Sequence, residues 1–227
     1  YTLHVIATAL FDKAAYKNVN VNGIILASDG KKMSKRLKNY TPPDLLIEEH
    51  GADPLRLYLI NSNLVKAEEM RFVDQGIKEM SRKVIMPWYN SFCFFKTYAE
   101  IDQWKRPSQY NGPTHILDKW IISRIQSLKW VIENAMGHYA LYKVVPELVK
   151  FIDEMTNTYI RLNRSRFWQS GMNADKQSAY VTLFDICQEL SELMAPFCPF
   201  MSEHIFRELQ VFADCPMQSV HLTSYPT

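Results

Sequence analysis

From about residue 72 onward, apolar side chains recur at helical spacing with few interruptions, which restricts the chain to a mainly α fold. DQGIKEMSRKVIMPWYNSFCFFKTYAE reads as one long aromatic-rich helix that Pro87 should kink. DQWKRPSQYNGPT is a loop by composition. ILDKWIISRIQSLKWVIENAMG, apolar at Ile116, Trp120, Ile121, Ile125 and Leu128, is the next helix. HYALYKVVPELVKFIDEMTNTYIRLNRSRFWQ is another, with Pro146 in its early turns. QSAYVTLFDICQELSELMAPFCPFMSEHIFRELQVF supplies two more, broken around Pro196 and Pro199. Four to five helices, each with an apolar face to bury, pack as a bundle.

The 227 residues suffice for a real core, and 47% apolar with 22% charged residues is ordinary for a globular chain. A formal net charge of only +2 means that any nucleic-acid site must come from local clustering. Cys93, Cys187, Cys198 and Cys215 lack the spacing of a zinc or redox pair. The six histidines are scattered, so no metal site is expected, and reduced thiols suit a cytosolic compartment. No apolar run approaches the length of a membrane span. The first residue is Tyr1, and structured-looking sequence begins at once, so the chain reads as a piece of a longer protein.

The first third is different. TLHVIATALF suggests a short helix or buried segment with Leu3, Ile6, Ala7 and Leu10 on one face. In KNVNVNGIILAS, Val19 and Val21 alternate with Asn18 and Asn20, and Asn22-Gly23 is a strong type I′ signal. This predicts a β-hairpin whose returning strand is Ile24–Leu26. Asp29-Gly30 is a second turn, and from it emerges DGKKMSKRLKN, where five of the eight residues 31–38 are Lys or Arg. Pro42-Pro43 then breaks the chain, Asp44 can cap a short helix, and Gly51 ends it. Asp53-Pro54 opens another helix with Leu55, Tyr58 and Leu59 inward. The organisation is an α/β part over residues 1–66 and a helical part over 67–227.

A lysine run is most often a solvated surface or a sorting patch. Lys32 and Lys35 with Arg36 are also able to enclose a polyphosphate, where mobile positive charge meets developing negative charge. The order of the flanking residues favours the second reading. Lys32-Met33-Ser34-Lys35-Arg36 resembles the KMSKS signature of class I aminoacyl-tRNA synthetases, with Arg36 where most members carry Ser. Asn39, Pro42-Pro43, Gly51-Ala52-Asp53 and Arg56 follow in the order the family shows. VNGIILASDGKKMSKRLKNY and GADPLRLYLINS look most like the isoleucyl branch of eukaryotic cytosolic type, with the valyl, leucyl and methionyl branches as neighbours.

The resemblance implies the end of a Rossmann-type catalytic domain followed by an α-helical anticodon-binding bundle. It implies ATP as substrate, with Mg2+ in the whole enzyme, and isoleucine and tRNA(Ile) as partners in the cytoplasm. It also admits a multi-synthetase complex for the full enzyme. By position, Lys32 and Lys35 contact phosphates and are the catalytic residues, Met33 seats the adenine side or anchors the loop, and Ser34 donates a hydrogen bond. The family's other signature, His-apolar-Gly-His, is missing from these residues, so the amino-acid pocket and editing domain are expected upstream. The chain alone should then be inactive. The alternative is a non-catalytic tRNA- or partner-binding module that keeps the loop.

In the third helical string, 100° per residue places Leu148, Ile152, Met155, Tyr159 and Leu162 on one face. Asn157, Arg161, Arg164 and Trp168 fall opposite. Such a face either binds RNA, with Arg on phosphates and Trp on a base, or carries arginines paired with a neighbouring helix. The resemblance makes it tRNA-binding. Trp120 reads as core, Arg124 as either, and APFCPFMSEHIF as structural, with Phe197, Phe200 and Ile205 packing.

Overall fold

The computed structural model describes residues 1–213 and 216–226. Cys215 lies outside the described residues. Helix α1 spans Thr2–Phe11, but it buries nothing: Leu3 is 65% and Leu10 69% exposed. Strand β1 is Ile25–Leu26, and helices α2 (Pro43–His50) and α3 (Ala52–Ile60) follow the basic loop. Strand β2, Met70–Arg71, lies parallel to β1, with Ile25 opposite Met70 and Leu26 opposite Arg71. The small sheet thus pairs residues on both sides of residue 66.

The hairpin expected at Asn22-Gly23 does not form. Gly23 keeps negative φ and donates its N–H to the Leu64 carbonyl at 2.8 Å. A Cβ there would sit 1.6 Å from the Glu68 carbonyl oxygen. Glycine is needed for a close backbone approach and not for a turn. The chain reverses later, where Gly30 N–H donates to Ala27 C=O and Ala27 N–H to Lys31 C=O, both at 2.8 Å. Gly30 has φ 79°, and Leu26 forms an antiparallel bridge with Lys32. The reversal uses the Asp29-Gly30 signal.

The remainder is the expected bundle. Helix α4 (Asp74–Met80) runs through a π turn, Ser81–Ile85, into α5 (Met86–Ile101). Pro87 lacks an N–H and crowds the carbonyl four residues back; widening the helix just before it accommodates the ring without a break. Helix α6 is Ile116–Gly137. Helix α7 (Val144–Asp153) passes through a second π turn, Glu154–Ile160, into α8 (Arg161–Trp168). Helices α9 (Ala174–Met194) and α10 (Pro199–Leu209) close the bundle. Trp88, Phe92, Phe95, Phe151, Tyr180 and Phe184 fill its centre, and Phe95 meets Trp104 edge-on at 5.6 Å. Cys187 and Cys198 are buried small fillers, and burial pushes the Cys187 thiol up to about 12.

One polar network is sealed inside the bundle. Asp118 on α6 accepts both Arg166 Nη1 (2.7 Å) and Nη2 (2.9 Å), the Tyr159 hydroxyl (2.8 Å) and the Ser178 hydroxyl (2.7 Å). Arg166 also donates to Asp175 Oδ2 at 2.9 Å and to Asn163 Oδ1 at 3.0 Å. Burial alone would raise the Asp118 carboxyl, but the hydrogen bonds from Arg166, Ser178 and Tyr159 hold it below the usual range. Truncating one partner leaves an uncompensated buried charge. Asp118→Ala should therefore destabilise the chain by about 3–5 kcal/mol in urea titrations. A carboxyl depressed on folding contributes stability that is present above the unfolded pKa near 3.8 and lost as pH falls through the lower folded value. Acid unfolding curves of Asp118→Asn should lack that component.

Candidate functional site

The basic run is a short loop built on the end of the small sheet. Asn39 spans it: Oδ1 accepts the Ser34 N–H at 2.9 Å, and Nδ2 donates to the Lys32 carbonyl at 3.2 Å. Lys38, at φ 48°, donates its N–H to the Ser34 carbonyl at 3.0 Å. These bonds half-bury Met33 and Ser34 and leave Lys32, Lys35 and Arg36 exposed. Ser34 gives its backbone N–H inward to Asn39. Lys31 is set apart from the other lysines by Asp29, whose carboxylate lies 3.7 Å away. Among the described residues Lys32 and Lys35 have no carboxylate partner.

Helix α3 holds this loop-bearing part against the bundle. Asp53 and Arg56 lie three residues apart, so they share a face. The Asp53 carboxylate is buried and accepts the N–H of Met201 at 2.7 Å and of Phe200 at 3.5 Å, the first turn of α10. Arg56 donates to the carbonyls of Phe197 (3.1 Å) and Pro196 (2.9 Å), beyond the end of α9. Asp53 therefore caps a distant helix, not its own, and Asp44 sits in the first turn of α2 without capping it. Burial pushes the Asp53 carboxyl upward, against the pull of the two N–H groups. In the APFCPF string Phe197 and Ile205 pack as expected, but Phe200 is 69% exposed. Leu57, not Leu55 or Tyr58, is the fully buried residue of α3.

The face read from α7 and α8 is partly displaced. Leu148, Ile152, Met155 and Tyr159 are buried, but Leu162 is 60% exposed, and Asn163, Arg166 and Phe167 are buried instead. The π turn at Glu154–Ile160 winds fewer degrees per residue and sets the helix phase back, so a uniform 100° step misplaces Leu162 and Phe167 beyond it. Asn157, Arg161, Arg164 and Trp168 all remain exposed. Asn157 and Arg164 line an open groove of about 780 Å³ together with Arg82, Lys83, Asn90 and Lys150. Both π turns contribute to its walls. Arg161 and Trp168 lie outside this lining. Trp168 donates its indole N–H to the Tyr98 hydroxyl at 2.7 Å, and Tyr98 rests on Phe94 of the groove at 5.0 Å between ring centroids.

Arg82, Lys83 and Lys150 escaped the sequence reading. Lys150 had a signal, since it sits two turns before Asn157 on one helical row. Arg82 and Lys83 had none, because only packing brings their helix opposite. Arg124 is paired, its Nε 2.8 Å from Glu154 Oε2, and Trp120 is half-buried against the core. Among the described residues no group of three His, Cys, Asp or Glu side chains gathers as metal ligands, and no helix is long and apolar enough to cross a membrane.

Comparison with known proteins agrees with this geometry. Residues 1–71 match a family model described as tRNA synthetases class I (I, L, M and V), and residues 118–227 match the anticodon-binding domain of tRNA ligase. An isoleucine--tRNA ligase of Bdellovibrio bacteriovorus is 49% identical over 227 residues, all of this chain and 22% of that protein. The chain belongs to the class I tRNA synthetases. It corresponds to part of isoleucine--tRNA ligase, the end of the catalytic domain plus the anticodon-binding domain. An isoleucine--tRNA ligase of Chlamydia trachomatis serovar L2b is 45% identical over 226 residues, again 22% of its length. The chain thus spans about a fifth of the curated relatives it matches. The fold is shared with the LeuRS of the Agrobacterium radiobacter K84 agnB2 LeuRS-tRNA-LeuAMS complex at a TM-score of 0.71, with 16% identity, covering 100% of this chain and 26% of that one. Mycobacterium tuberculosis methionyl-tRNA synthetase gives 0.64 at 18% identity, with 81% and 36% covered.

In this synthetase segment the Asp53–Arg56 clasp should be measurable. Arg56→Ala removes two charge-assisted hydrogen bonds and should cost about 1.5–3 kcal/mol in urea denaturation. Arg36→Ala, on the exposed loop, should leave the midpoint unchanged.

Proposed function

We propose that the chain supplies the ATP-phosphate loop and the tRNA-binding bundle of an isoleucine--tRNA ligase, which activates isoleucine with ATP and transfers it to tRNA(Ile). The observation that carries this reading is the 49% identity to such a ligase along the whole chain. Lys32 and Lys35 act on the phosphates as pyrophosphate leaves, when negative charge develops on the leaving group. A loop held by one amide side chain and a few backbone bonds is cheap to move, so binding energy is spent where charge develops. ATP brings Mg2+ as part of the substrate, and the reaction belongs in the cytoplasm. The eukaryotic cytosolic type, and with it a multi-synthetase complex, rests on the strings around the loop, while the relatives named above are bacterial.

For tRNA, the groove supports a revised division of labour among the four residues of the α7–α8 face. Arg164, Arg82 and Lys150 line one channel able to follow a phosphate backbone, in which Asp153 is the acidic member and accepts the Asn157 amide at 2.7 Å. Trp168 stands past its end as a stacking surface, and Arg161 lies outside its lining. Gel-shift titration of tRNA(Ile) with the chain at several salt concentrations tests this. Arg164→Ala and Lys150→Ala should each weaken binding and reduce the salt slope by about 1. An unchanged slope for both variants would return the groove to an ordinary surface. The chain alone should show no isoleucine-dependent pyrophosphate exchange, because the His-apolar-Gly-His string is not among its residues.

A further inference from the structure

We propose that Arg71 is a third phosphate-binding cation of the loop site, acting beside Lys32 and Lys35. The inference rests on the reading of the loop as a polyphosphate site. Strand β1 has a neighbour on each side, and Leu26 is the shared partner: Lys32 lies opposite it in the antiparallel bridge, Arg71 in the parallel pair. Residues directly opposite one another project from the same face. Neighbouring strands are about 4.8 Å apart, so the Lys32 and Arg71 backbones stand about 10 Å apart with Leu26 between. Two long cationic side chains at that spacing reach across a chain of phosphates.

The guanidinium is already at the loop. A Cβ on Gly30 would sit 3.3 Å from Arg71 Nε and 3.3 Å from Nη2, so the missing side chain leaves the room that Arg71 uses. Strand alternation puts Met70 inward, at 6% exposure, and Arg71 outward. Among the described residues Arg71 has no carboxylate partner, in contrast to Lys31 beside Asp29. A surface arginine held against a glycine turn with its donors unspent is ready for an anion. Its planar fork fits two phosphate oxygens, whereas Lys32 and Lys35 supply point charges. The three cations thus differ in mobility. Arg71 is fixed by the sheet and Lys35 rides on the loop, so Arg71 is placed to hold the phosphates while the loop moves.

Calorimetric titration of the 227-residue chain with inorganic pyrophosphate and with ATP tests this. Each titration is paired with NMR of the arginine Nε–Hε signals. The Arg71 signal should shift on binding, Arg71→Ala should weaken both ligands about tenfold, Arg71→Lys should restore part of the loss, and Lys119→Ala on α6 should change nothing. A loss for Lys35→Ala with none for Arg71→Ala overturns the Arg71 assignment and leaves the loop reading standing. Unchanged affinity in both variants, or no saturable binding by the unmodified chain, overturns the loop reading and the assignment together.

Discussion

Two side chains one helical turn apart, Asp53 and Arg56, join the loop-bearing part of this chain to its bundle. Helix ends leave backbone N–H and C=O groups without partners, and a junction between helices must supply them. Asp53 satisfies the N–H groups that open α10, and Arg56 satisfies the carbonyls that follow α9. Pro196 and Pro199 create those orphans by breaking the helix between Phe206-bearing α10 and α9. The GADPLR and APFCPF strings, more than a hundred residues apart, are thus the two halves of one interaction. Together with the packing of α3 on α4, it sets where the basic loop stands relative to the bundle.

The groove of the bundle is shaped by departures from regular helix. Both π turns line the same groove, and each shifts the side chains that follow it. The second turns Leu162 outward and brings Asn163 and Phe167 in, while Arg166, five full turns after Leu148, keeps the inward face. Of the arginines in the RLNRSRFW string, Arg166 is consumed by Asp118 and Asp175, while Arg164 faces the groove. Their chemistry is identical; one residue lies in the plane of the core and the other does not.

Much of this was legible beforehand. The long helices announced themselves by spacing, and the family by the ordered neighbours of the basic loop. The reversal at Asp29-Gly30 was visible as a turn, but Asn22-Gly23 looked stronger, because a turn signal and a demand for backbone clearance select the same residue. Gly23 is small so that Glu68 can approach it. Likewise Leu3 and Leu10 of α1 have the spacing of a buried face without a partner against them in this chain. Spacing describes which residues share a face and says nothing about what covers it.

Local chemistry therefore determined the long helices and the family, since helix periodicity and a short cationic motif are properties of neighbouring residues. Tertiary structure alone decided which polar residues are spent and which are free. Asp53 caps α10, Arg166 fills a buried carboxylate site, and Arg71 lies against Gly30, each through contacts with residues far away in the chain or across a strand pair. Long-range pairing consumes hydrogen-bonding capacity, and a residue's own neighbours carry no record of that.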